Sequence, residues 1–197
     1  LAAKADISLV SKLGPGPLAL AVKGSHTEVV KHLLESATVQ GQANTVVDAR
    51  VVFNAVAHAE DDVLAIIEPF ASGAPADCNG RTPLHLAALE RNQNAAEYLL
   101  QMESGTSAID AIDAAGETAV LIATRRGALS VLRLLAKAKA NLDIQEPAKG
   151  RTALHVAGFE SMREVYDFLL DNGADSSIRD AKGSPPEFKD KPNCAIM

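Results

Sequence analysis

A nine-residue frame returns along this chain at a nearly constant interval, and that periodicity constrains the fold more than any other feature. Its fullest copy is Gly80-Arg81-Thr82-Pro83-Leu84-His85-Leu86-Ala87-Ala88. Thr82 is a good helix N-cap, because its hydroxyl can accept from an unpaired amide of the first turn, and Pro83 follows where a missing N–H costs nothing. Gly80 suits a tight turn of positive φ, and Leu84 and Ala87 lie three apart on one apolar face. The frame therefore reads as a turn feeding a helix. It recurs as Gly150-Arg151-Thr152-Ala153-Leu154-His155-Val156-Ala157, as Gly116-Glu117-Thr118-Ala119-Val120-Leu121-Ile122-Ala123 and as Gly14-Pro15-Gly16-Pro17-Leu18-Ala19-Leu20-Ala21, with a weaker copy at Val52-Phe53-Asn54-Ala55. The anchors Leu18, Val52, Leu84, Val120 and Leu154 are spaced by 34, 32, 36 and 34 residues.

The pattern T-P-L-H-x-A at a period of about 33 residues resembles the ankyrin repeat. The resemblance implies an all-α solenoid of helix-turn-helix units joined by β-turn fingers, in which each unit touches only its neighbours. Five ankyrin-like repeats are expected over residues 13–183, the second of them degenerate. Leu1 to Ile7 parallels the stretch from Leu135 to Leu142, and residues 1–12 read as the end of a truncated upstream repeat. Asp180-Ala181-Lys182-Gly183-Ser184 begins a sixth finger, but Pro185-Pro186-Glu187 stands where its helix should start, so residues 184–197 read as a flexible tail.

Composition agrees with thin layers rather than a thick core: 47% of residues are apolar, yet only 4% are aromatic and Trp is absent. A net charge of −6 argues against a general nucleic-acid binder, whose footprint is normally basic. Cys78 and Cys194 are too few for a disulfide scaffold, and no Cys/His cluster has zinc-like spacing, so a cytoplasmic setting without metal or cofactor is expected. The first ten residues do not read as a secretory leader, and no apolar run reaches 18 residues.

Within the repeats, second helices are expected to bury Val29, Val30, Leu33 and Leu34; Val63, Ile66, Ile67 and Phe70; Tyr98, Leu99 and Leu100; Val131, Leu132, Leu134 and Leu135; and Val165, Phe168, Leu169 and Leu170. The polar stretch from Ser36 to Ala49 reads as a loop, and Pro69 is expected to interrupt the second helix of the degenerate repeat. In the first repeat Gly16 replaces the capping Thr and Ala19 the motif His, which leaves that helix start without a side-chain cap.

No residue is assigned a catalytic role. Gly14-Pro15-Gly16 lacks the further Gly and the Lys-Ser/Thr pair of a phosphate loop. By the resemblance His85 and His155 hydrogen-bond within the finger and helix framework, while His26, His32 and His58 are scattered. The resemblance also implies a concave groove lined by finger tips and the exposed side of the first helices. Arg81, Leu89 and Glu90, then Glu117, Arg125 and Arg126, then Lys149, Arg151, Phe159 and Glu160 fall there. Five basic residues against three acidic ones give this surface +2 in a chain whose remainder carries −8, which points to a partly acidic protein partner. Leu89 and Phe159 are expected as exposed apolar anchors, the kind of residue that dominates interfaces.

The reading at this level is a monomeric protein-interaction module or adaptor. Two alternatives stay open: a regulatory ankyrin portion of a larger enzyme, channel or transporter, and a structural spacer in a longer array. Cys194-Ala195-Ile196-Met197 matches the C-a-a-X prenylation signature with a farnesyl-type Met, so Cys194 is a candidate lipidation site. One lipid without a polybasic stretch would give only weak, reversible attachment to a cytosolic membrane face.

Overall fold

The computed structural model describes residues 16–39, 47–58, 61–71, 76–101 and 109–189, and among them it is helical with no strand. Among the described residues ten helices form five packed pairs: α1 (Pro17–Lys23) with α2 (Thr27–Val39), α3 (Ala49–His58) with α4 (Asp61–Ala71), α5 (Pro83–Leu89) with α6 (Gln93–Gln101), α7 (Ala119–Arg125) with α8 (Leu129–Lys137), and α9 (Ala153–Phe159) with α10 (Arg163–Asp171). Each first helix packs on the first helix of the next pair, so the chain is the expected all-α solenoid.

The first helices start where the frame predicts. Thr118 Oγ1 accepts from the Leu121 amide at 3.3 Å. Thr82 and Thr152 instead close capping boxes with a histidine three residues on, in place of the usual Glu. Gly16 gives α1 no side-chain cap, as expected. The degenerate repeat has its own device, which the sequence reading missed: Asp48 Oδ1 accepts from the amides of Arg50 and Val51, both at 3.0 Å, and starts α3.

Each of four first helices ends in a left-handed residue at one equivalent position, with Ser25 at φ 53°, Arg91 at 56°, Gly127 at 63° and Ser161 at 62°. The three amides that follow each of these helices fold back on its last turns, as in Ala128 N–H to the Ala123 carbonyl at 2.8 Å, so the turn into the second helix leaves few carbonyls unpaired.

Burial follows the repeat. The anchors Leu18, Val52, Leu84, Val120 and Leu154 are at most 3% exposed, and so are Ala55, Ala87, Ala123 and Ala157, three residues on from the last four of them. Leu86, Ile122 and Val156 are covered by the preceding pair, whereas their counterpart Leu20 is 55% exposed. Val29 is likewise 50% exposed against 1% for its counterpart Val131. The first pair thus shows the face on which a preceding unit would stack.

Several expectations need correction. Helix α2 continues through Ser36 to Val39, and Val47 and Ala49 are buried, so the stretch from Ser36 to Ala49 is not one long loop; residues 40–46 lie outside the described residues. Pro69 does not interrupt α4, which runs on to Ala71. Proline so near a helix end forfeits a single backbone bond, and Pro69 is exposed, where water can serve the freed carbonyl. Val29 and Leu170 are exposed rather than buried, Leu33, Ile66, Tyr98, Leu100, Leu134 and Phe168 are half-buried, and the Phe70 side chain lies outside the described residues.

The tail does not begin at Ser184. The sixth finger closes, with Asp180 N–H donating to the Ser184 carbonyl at 2.9 Å, and residues 185–189 then lie against α9 and α10 with Pro186 buried. The prolines prevent a helix here, but an extended segment finds partners on the last pair. Residues 1–12, read as a truncated repeat, and residues 190–197 with Cys194 lie outside the described residues.

Candidate interaction surface

The groove is built from fingers whose shape one carboxylate sets. Asp77 Oδ1 accepts from the amides of Asn79 at 2.8 Å and Arg81 at 2.9 Å. Asp113 Oδ1 does the same for Ala115 at 2.8 Å and Glu117 at 3.0 Å, and Asp180 Oδ1 for Lys182 and Ser184, both at 2.9 Å. Such an Asx turn folds the backbone over the glycine three residues later, and Gly80, Gly116 and Gly183 all have positive φ. The bond from the Ser184 amide holds the Asp180 carboxyl below its ordinary range.

The other oxygens of Asp77 and Asp113, with Glu146 in the fifth finger, face the arginine of the preceding repeat. Arg50 meets Asp77 at 3.2 Å, Arg81 meets Asp113 at 3.5 Å and Arg125 meets Glu146 at 3.4 Å, so one ion pair clasps each of three successive joints. The Asp77 and Asp113 side chains are only 1% and 2% exposed, and burial at that level demands such partners. Sequence reasoning missed all four acids. The signal was present, since an Asp stands three residues before Gly80, Gly116 and Gly183 and a Glu four before Gly150.

The histidines complete the fingers. The Thr82 amide donates to His85 Nδ1 at 3.1 Å, so the ring proton sits on Nε2, which donates to the Glu117 carbonyl of the next finger at 3.0 Å. His155 repeats this with the Thr152 amide at 3.3 Å and the Ser184 carbonyl at 3.1 Å. Burial pushes the His85 imidazole below its ordinary pKa, which favours the neutral ring these bonds require. Both histidines are therefore framework groups with both ring nitrogens engaged.

The ten residues expected in the groove fall into three groups. Arg81 and Arg125 are spent on the clasps, Arg125 being paired with Glu117 as well as Glu146. Leu89 is half-buried and packs on the core, so it is not the exposed anchor expected of it. Glu90, Arg126, Lys149 and Glu160 are exposed, and Phe159 is 52% exposed with the Arg151 guanidinium 4.5 Å above its ring. Once Arg50, Asp77, Asp113 and Glu146 are added to the five basic and three acidic residues, the surface carries no net charge. The expected surplus of +2 came from omitting the clasp carboxylates.

Two concavities open on this side. One of about 310 Å³ lies beside the degenerate repeat, between Lys23, Phe53, His58, Leu89 and Glu90. The other, of about 280 Å³, lies between Arg151 and Phe159 on one side and Lys182, Pro185 and Lys189 on the other. Among the described residues no group of three or more His, Cys, Asp or Glu side chains is placed to hold a metal ion, and no helix is long and apolar enough to cross a membrane.

Comparison with known proteins agrees with the architecture. A family model of ankyrin repeats in three copies matches residues 1–110 and again 104–180. The nuclear factor NF-kappa-B p105 subunit of Gallus gallus is 28% identical over 180 residues, which is 88% of this chain and 18% of that protein. The p105 subunit of Mus musculus is 32% identical over 108 residues, or 54% of this chain and 11% of that protein. Ankyrin repeat and SAM domain-containing protein 6 of Mus musculus is 31% identical over 75 residues, 38% of this chain and 8% of that protein. The chain thus spans less than a fifth of the length of each of these relatives. With a repeat period, five stacked helix pairs and a family match over most of its length, the chain belongs to the ankyrin-repeat family.

Proposed function

We propose that the chain is a protein-interaction module that holds a protein partner along its concave face, and that the Phe159–Arg151 pair is its principal anchor. One observation carries this reading: a large aromatic ring is left half in water beside a concavity, with an arginine already stacked on it. Aromatic and arginine side chains dominate binding energy when a partner desolvates them. The relatives are named for their repeats or as a subunit, which supports an interaction role and says nothing of the ligand.

An acidic stretch on the partner remains part of the reading in narrower form. Among the described residues, the groove cations in no ion pair are Arg126, Lys149 and Arg151, and Arg151 is stacked on Phe159, so Arg126 and Lys149, rather than the clasped Arg81 and Arg125, would attract it and raise the on-rate. The clean charge variant is Arg126→Glu, because reversing Arg125 would also break a clasp. Affinity capture with the full chain, repeated with Phe159→Ala and with Arg126→Glu, tests both parts. Phe159→Ala should weaken the captured partner by about tenfold or more. Arg126→Glu should slow association and reduce its salt dependence. The same partners held equally by both variants would refute the surface.

Should Met197 end the protein, farnesylation of Cys194 would add a weak tether to a cytosolic membrane face. Intact mass and membrane fractionation of the chain and of Cys194→Ser in a eukaryotic cell test it, and identical masses would remove it.

A further inference from the structure

The last repeat carries an occupied site whose resident segment also forms one wall of the concavity beside Phe159. Where another helix pair would stack on α9 and α10, residues 185–189 lie in its place as an extended segment. Gly158 makes room for them. It holds the position of Ala88 in α5 and Thr124 in α7, and a Cβ added there would stand 2.3 Å from the Glu187 carbonyl oxygen and 3.0 Å from its carbon.

Three hydrogen bonds then secure the segment. The Lys189 amide donates to the Gly158 carbonyl at 3.2 Å, Ser161 Oγ to the Lys189 carbonyl at 2.6 Å, and the Tyr166 hydroxyl to the Pro186 carbonyl at 3.0 Å. All three engage the main chain of the segment, so they would hold an extended peptide whatever its side chains. Two side chains are read as well. Pro186 is buried, and its missing N–H is one fewer donor to satisfy there. Phe188 lies at 64° to Tyr166 with centroids 5.4 Å apart, and the Arg163 guanidinium sits 4.0 Å from its centre. Glu187 between them turns its side chain to solvent.

We propose that this face is a binding site for an extended Pro-x-Phe peptide, occupied in cis by Pro186-Glu187-Phe188 and taken over by a partner protein that presents the same arrangement. A short tether gives the resident segment an effective concentration in the millimolar range, so a competitor gains the site only when the resident is weakened or the partner binds elsewhere as well. The rest of the groove then supplies the second contact, and a partner peptide in the site takes the place of Pro185 and Lys189 in the wall of the concavity beside Phe159.

The test uses the full chain with a fluorescent peptide of the sequence Ser-Pro-Pro-Glu-Phe-Lys, copied from residues 184–189. Binding is read by anisotropy and resident occupancy by hydrogen exchange at the Lys189 amide. Phe188→Ala should accelerate that exchange and bind the peptide at least about tenfold more tightly than the unaltered chain. Adding Gly158→Ala should abolish the gain, because the new Cβ stands in the path of the peptide. Exchange in α7 and α8 serves as the folding control, and Tyr166→Phe, which removes one hydroxyl, is a milder site variant that should lower the affinity of the Phe188→Ala chain. Unchanged Lys189 exchange in Phe188→Ala would overturn the proposal. So would accelerated exchange with no gain in peptide binding, or equal binding by the variant carrying Gly158→Ala.

Discussion

His85 ties three pieces of chain together through one imidazole: its own helix, the Thr82 cap and the finger of the next repeat. Because burial lowers its pKa in the folded state, the unfolded chain binds more protons just below pH 6.5, the ordinary imidazole value. Stability is therefore fully present above that pH and is lost as pH falls toward the folded value; Asp113 opposes the shift and Arg81 reinforces it. Denaturation midpoints measured between pH 7.5 and 5 should fall on acidification, and His85→Gln should flatten the slope in this window. Thr124 is fully buried, and its Oγ1 has no hydrogen-bond partner among the described residues. Thr124→Ala, matching Ala88 in α5, should stabilise the chain by about 0.5–1 kcal/mol in urea titration. The histidine's role was legible through the family resemblance, which implies a bond within the finger and helix framework. Thr124 was not, since a hydroxyl in an apolar row betrays its isolation only once the neighbouring helix is in place.

Helices α3 and α4 show how far periodicity alone reaches. Val52, Ala55, Val63 and Ile67 are buried as their spacing implies, yet the limits of α2 and α4 were drawn too short. Polar composition at Ser36 and a proline at position 69 signal helix ends only weakly when packing continues beneath them. The segment after Ser184 was misread for a related reason: without periodicity it resembled a tail, and its partners Gly158, Ser161 and Tyr166 are distant in sequence. The degenerate pair has Phe53 where the motif histidine stands and so lacks the histidine bond that joins α5 to the next finger. Its amides should exchange sooner than those of α7 and α8 in native-state hydrogen exchange. In the fingers, Gly80→Ala would strain a φ of +71° and bring a Cβ within 2.9 Å of the Ala114 amide nitrogen. A loss of about 2 kcal/mol is expected from calorimetry or urea unfolding.

At the scale of the whole molecule, stability is a sum over neighbouring units, and the Arg–carboxylate clasps belong to the joints between them. The Arg50 and Arg81 side chains pair with different carboxylates, but the Arg81 amide also bonds Asp77, so the effects of Arg50→Met and Arg81→Met in urea unfolding should depart from strict addition. Each arginine is about a quarter to a third exposed, and solvent screening reduces the expected cost to roughly 1–2 kcal/mol. The groove's position was legible from the frame, but its charge was not, because a count of residues cannot tell which cations already have partners. The clasps also have a mechanical meaning. The α1–α3 joint has no such pair among the described residues and relies on Asn54 Nδ2 donating to the Ala19 carbonyl at 3.1 Å. Under tension along its axis the solenoid would behave as a spring of unequal coils, the first coil peeling away at low force while the clasped ones stay wound.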